Sequence, residues 1–233
     1  KIMKLTKVKP LKEGADKTQI SEWLDSNKLV EGKYTINDDL TVDVNGDVDI
    51  FRKADIFPDN KFPIQFGKVT GDFSCTSAGL VSLVGAPREV GGDFDCLGNN
   101  LTSLEYSPQL VGGDFECDHN QIKSLKGAPV KVGGYFSCTD NKLTSLEGVP
   151  KDIGGDLEFN MNPGITSLAG ISKLVKHVGG EIHFKKTPIT HSILGLIRIK
   201  GLEGVQVSDE NQDLVSAVNI IKQHLDDRDA MQA

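Results

Sequence analysis

Four cysteines, Cys75, Cys96, Cys117 and Cys138, stand 21 residues apart in the chain. Cysteines can pair, hold a metal or act as nucleophiles, and here the spacing decides among these. A fixed interval in tandem copies puts one residue type into one column of a stack. Neighbouring strands of such a stack run about 4.8 Å apart with side chains pointing the same way, whereas a disulfide needs Cβ atoms that approach each other to about 3.8 Å. The thiols are therefore expected to be free, buried and chemically quiet, in a reducing cytoplasm.

The carboxylates follow the same period. Asp72, Asp93, Asp95, Asp114, Glu116, Asp118, Asp156, Glu158 and Glu181 alternate with the buried column, after a prelude at Asp47 and Asp49, and the row is interrupted at Tyr135, Ser137 and Thr139. Pairs such as Asp93 and Asp114 suit acid and base work, and rows of carboxylates suit hard cations. A catalytic site is, however, a local exception to a repeat, and these residues are its consensus; the period is also not the nine of the calcium-binding repeat. No catalytic residue, metal or cofactor is assigned. The five histidines, His119, His177, His183, His191 and His224, show no metal-ligand spacing, with His183 read as a strand-face surface residue and His224 as a helix-end residue.

Two other recurrent types read as scaffold. Asn99, Asn120, Asn141 and Asn162 each lie three residues after the cysteine column, where an inward amide can satisfy the backbone of adjacent turns. The Gly-Gly pairs at 91–92, 112–113, 133–134 and 154–155 resemble part of a phosphate loop, but they recur in tandem with no following helix or Lys-Ser/Thr. They are read as tight turns using the positive φ open to glycine.

The elements that position these columns come from three units in unbroken succession, VGGDFDCLGNNLTSLEYSPQL, VGGDFECDHNQIKSLKGAPVK and VGGYFSCTDNKLTSLEGVPKD, over Val90 to Asp152. Further copies begin at Ile153 and Val178, with Phe159 and Phe184 in the cysteine column. The expected fold is a mainly β repeat solenoid of about six 21-residue units with a parallel strand face. Each unit supplies one strand of about five residues, in which Phe94 and Cys96 face inward and Asp93, Asp95 and Leu97 outward. Leu101 and Leu104, and their counterparts, form a second apolar layer.

Residues 1–15 read as a flexible arm and 16–68 as an N-terminal cap. The cap holds a helix over 17–27, capped by Asp16 and packing Trp23 on the end of the stack, then short strands with Asn45-Gly46 as a turn between two of them. The repeats span 69–189. An α/β C-terminal cap spans 190–226, with helices over 190–200 and 209–225 and a strand over 202–207, and 227–233 is a frayed tail.

With 33 acidic against 26 basic residues the formal net charge is -7, and 25% of residues are charged, as in foldable globular chains. The acidic balance argues against direct nucleic-acid binding. No run reaches the about 20 apolar residues of a membrane helix, and residues 1–15 lack the apolar centre of a secretory signal. The chain starts at Lys1 without methionine, which leaves room for residues upstream.

Phe94-x-Cys96-x-x-Asn99-x-Leu101-x-x-Leu104, followed by Pro108, resembles the leucine-rich repeat, in particular its short bacterial type. It departs in placing cysteine or phenylalanine in leucine columns and in carrying an extra residue in Val-Gly-Gly-Asp-Phe. Over residues 33–185 it is similar to leucine-rich-repeat proteins carried by large tailed bacteriophages. The resemblance implies a concave strand face as the binding surface. The expectation is a non-enzymatic solenoid in the host cytoplasm that binds a basic protein through Asp72, Asp93, Asp95, Leu97, Asp114, Glu116, Asp118, Tyr135, Asp156, Glu158 and Glu181, with Leu97 and Tyr135 as apolar contacts. The alternatives are a phage assembly component and an acidic mimic that occupies a host nucleic-acid-binding protein. The ubiquitinating effectors of the short bacterial type carry a separate catalytic cysteine domain, and no cysteine follows Cys138 here.

Overall fold

A computed structural model describes Leu11, residues 14–168 and 171–189, and the backbone of Gly204–Gln206. The expected arm is thus represented only by Leu11, Gly14 and Ala15. The two expected C-terminal helices and the tail lie outside the described residues.

Helix α1 spans Lys17–Asn27. Asp16 accepts the Gln19 amide while the Gln19 side chain accepts the Asp16 amide, a reciprocal cap that satisfies two otherwise orphan donors. The helix stops at Lys28, whose left-handed backbone turns its amide back to Leu24 and Asp25. Ile20, Trp23 and Leu24 are buried, and the Trp23 ring meets Phe57 at 6.4 Å, so the tryptophan closes the end of the core.

Strands β1 (Val30–Ile36) and β2 (Val42–Asp49) pair antiparallel. The expected turn at Asn45-Gly46 is not there: both residues lie inside β2, and the chain reverses at 37–41. Gly46, at φ 139°, faces Gly32, at φ 130°, across the ladder. A Cβ on Gly46 would run into the Glu31 carbonyl, so the glycine serves close backbone approach rather than reversal.

From β2 onward every pairing is parallel, in about seven turns of a β-solenoid. The expected fold class holds, and the strand taken as cap is itself the first rung. Its first half pairs with Phe66–Val69 and its second half with Phe73–Ser74, which starts two ladders where the sequence suggests one. One ladder runs through Glu89–Val90, Leu110–Val111, Lys131–Val132, Asp152–Ile153 and His177–Val178. The other runs through Phe94–Asp95, Phe115–Glu116, Phe136–Ser137, Leu157–Glu158, Glu181–His183 and Gly204–Gln206. That last strand falls within the expected 202–207.

The Gly-Gly pair joins the two ladders, but none of its glycines takes a positive φ. The reason for glycine is stacking. A Cβ on Gly112 would enter the Gly91 carbonyl, and one on Gly133 the Gly112 carbonyl. Coils can approach this closely only where no side chain intervenes.

The core follows the columns. Phe73, Phe94, Phe115 and Phe136 are fully buried, and successive rings stack 5.2–5.5 Å apart with planes within 15°. Such pairs contribute about 0.5–1.5 kcal/mol each beyond burial. At the next turn the bulk changes places: Leu157 takes the phenylalanine column, while Phe159 takes the cysteine column and stacks on Phe184 at 6.3 Å. The turn from Ile153 to Val178 covers 25 residues, against 21 for the turn before it. A four-residue helical turn, Ile171–Leu174, accommodates the extra length and buries Ile171.

Candidate functional site

The residues expected to bind a partner fall into three columns on the outer side of the second ladder. The first, immediately before the phenylalanines, is Asp47, Asp72, Asp93, Asp114, Tyr135, Asp156 and Glu181. Its aspartates do structural work that the sequence reading missed. Asp47 Oδ1 accepts the Asp72 amide at 2.9 Å, and Asp72, Asp93, Asp114 and Asp156 accept the amides of Asp93, Asp114, Tyr135 and Glu181, each at 2.8 Å. Each aspartate of the column thus holds the amide of the next turn, and the series skips the turn after Tyr135. The signal for this was the aspartate at the fixed position after Gly-Gly, where the strand has just changed direction and its amide has no ladder partner.

The second column is Asp95, Glu116, Ser137, Glu158 and His183. The third contains Leu97, Asp118, Thr139 and Asn160, with Leu97 and Asp118 half-buried. The interruption of the acidic row is locally compensated: Asp118 Oδ1 accepts the Ser137 hydroxyl at 2.6 Å and the Thr139 amide at 2.7 Å. Leu97 and Tyr135 are both half-buried, and Tyr135 does not share a turn with Leu97.

Charge is concentrated on this face. The Glu116 carboxyl is pushed up to about 7, first by burial and then by Asp95, Asp118, Asp114 and Asp93. Burial, reinforced by Asp93, raises Asp114. Burial also raises Asp118, against the pull of its Ser137 and Thr139 bonds, and Glu158, against the attraction of His183. Among the described residues no lysine or arginine pairs with a carboxylate between Asp72 and Glu116 on this face. Lys68–Glu89 and Lys131–Asp152 belong to the other ladder. Asp72, Ser74, Asp93, Asp95, Asp114 and Glu116 line a hollow of about 180 Å³.

The scaffold columns are chemically closed. All four cysteines are free and buried, and burial pushes the thiols of Cys75, Cys96 and Cys117 well up. Cys96 and Cys117 donate to the Glu116 and Ser137 carbonyls of the next turn. Asn120 accepts the Leu101 amide at 2.9 Å and donates to the carbonyls of Cys96, Cys117 and Asp118; Asn99, Asn141 and Asn162 repeat the pattern.

His183 lies on the strand face as read from the sequence, but is largely covered there. Its side chain is only 17% exposed, it stands across from Glu158 on the adjacent strand, and its Nε2 points among carboxylates. His191 and His224 lie outside the described residues. No described helix is long and apolar enough to cross a membrane. No family model, curated relative or solved structure matches the chain.

Proposed function

We propose that this chain is a non-enzymatic binding solenoid whose acidic strand face engages a protein presenting lysine or arginine side chains. The observation that carries this reading is Glu116: a carboxyl held near 7 among four other carboxylates, with no cation paired to it among the described residues. A face assembled in this way is stabilised by a partner that brings positive charge, and its field favours encounter with one. The hollow of about 180 Å³ beside Glu116 is smaller than the about 300–1,000 Å³ of small-molecule sites, and suits one basic side chain among the carboxylates. The resemblance to phage-borne leucine-rich repeats supports a partner in the cytoplasm of an infected bacterium.

The test uses the immobilised full chain in bacterial lysate at low and high salt, alongside an Asp95→Asn/Glu116→Gln variant. Both substitutions keep side-chain volume and remove charge. One captured protein, released by salt and lost from the variant, is the expected result. No captured protein, or one held equally by the variant, removes the reading.

A further inference from the structure

The second column carries serine at 74 and 137 and carboxylates at 95, 116 and 158, and His183 brings a new residue type into it. Donor atoms of Asp156, Glu158 and His183 all lie within 4.8 Å of one another. Among the described residues, His183 Nε2 is buried and has no hydrogen-bond partner, although it stands 3.7 Å from Asp156 Oδ2 and 3.5 Å from Glu181 Oε2. A charge-assisted hydrogen bond would close to about 2.7–2.9 Å. Ligands about 2.0–2.1 Å from a tetrahedral ion instead sit roughly 3.3–3.4 Å from each other, and the Asp156–His183 separation of 3.7 Å lies nearer to that.

We propose that Asp156, Glu158 and His183 form a binding site for a divalent transition-metal ion of the zinc class. One imidazole with two carboxylates is a borderline donor set that suits zinc better than calcium, which takes six to eight oxygens. The carboxylates are already oriented from behind. Asp156 uses Oδ1 to accept the Glu181 amide at 2.8 Å, leaving Oδ2 toward the histidine, and Glu158 Oε2 accepts from the Asn160 side chain at 3.3 Å. Supporting bonds of this kind fix ligand geometry. Glu181 stands next to the trio as a further oxygen donor. The backbone pairing of Leu157–Glu158 with Glu181–His183 makes the ion a clamp across two turns, so binding stabilises the C-terminal end of the stack.

The experiment is isothermal titration of the full chain, free of any affinity tag, with ZnCl₂, and of Co²⁺ followed by its visible absorption. His183→Ala and Glu158→Gln are compared with the unaltered chain and with His119→Ala, which removes an exposed histidine paired to Asp140 elsewhere. The expected result is one ion per chain, an affinity at least tenfold weaker in both site variants, and no change in His119→Ala. Circular dichroism of the metal-free variants checks that they are folded, and Glu158→Gln, which keeps shape, serves if His183→Ala is not. An unaltered chain that takes up no Zn²⁺ up to millimolar concentration overturns the proposal, as does wild-type affinity in a folded site variant.

Discussion

Glu116 is the residue at which the geometry makes the sharpest statement about pH. Its folded-state value of about 7 lies above the ordinary 4.5, so between those limits the folded chain holds a proton that the unfolded chain has released. Stability contributed through this group is therefore greatest below about pH 4.5 and falls as pH rises through about 7. Asp114, Asp118 and Glu158 are shifted in the same direction. Glu116→Gln should stabilise the chain at pH 8 by about 1 kcal/mol, after discounting the shift for a partly solvated site, and flatten the fall in stability between pH 5 and 8. Urea denaturation at the two pH values measures both effects. Asp93 separates two roles on one side chain: Asp93→Asn keeps the acceptor for the Asp114 amide and removes the charge, whereas Asp93→Ala removes both. The alanine variant should be less stable by about 1–2 kcal/mol than the asparagine variant in the same assay.

At the scale of the element, the unit is a coil turn with two short strands and a glycine corner. Gly112→Ala should destabilise by about 1–3 kcal/mol, since the new methyl meets the Gly91 carbonyl, which belongs to a backbone held on both sides. Gly98→Ala is the useful comparison: its cost should come from the positive φ of 69° rather than from backbone collision. Asn120→Ala should cost about 1–3 kcal/mol by leaving the Leu101 amide buried without its acceptor, while the Cys96 and Cys117 carbonyls each lose one donor and keep Asn99 and Asn141 respectively. Thermal or urea unfolding monitors all three. The turn itself was legible from the phenylalanine, cysteine, asparagine and leucine columns, because each type answers to burial or to an inward amide. The ladder through Glu89–Val90 and Leu110–Val111 was not legible. Val90 and Val111 look like linker residues beside Gly-Gly, and only the stacked backbone shows them pairing. The aspartate column was misread for a related reason: an exposed carboxylate looks the same in sequence whether it serves solvent, a partner or the neighbouring turn's amide.

For the whole molecule, period alone identified a stack, and the four thiols lie buried in one column as their spacing required. A thiol reagent such as DTNB should therefore leave all four unmodified in the native chain and label all four in denaturant; rapid native labelling would contradict the burial. The acidic face was likewise visible as a row, although its division into a hydrogen-bonded column and a freer one was not. The site at His183 escaped for a geometric reason. Asp156, Glu158 and His183 are brought together across a lengthened turn, and a separation of 25 residues resembles no local ligand motif.

The two polar columns also reach in opposite directions along the axis. Each aspartate holds an amide of the following turn, as Asp72 holds Asp93, while each asparagine serves the preceding one, as Asn99 does for Leu80 and Cys75. An interior turn flanked by an aspartate and an asparagine is therefore completed from both sides, and losing either neighbour strips a different set of its polar groups. Such reciprocal dependence raises the coupling between adjacent turns relative to their own stability. The consequence is a stack that melts as one body instead of fraying coil by coil, with its weakest points at the two ends where only one hand of the clasp is present.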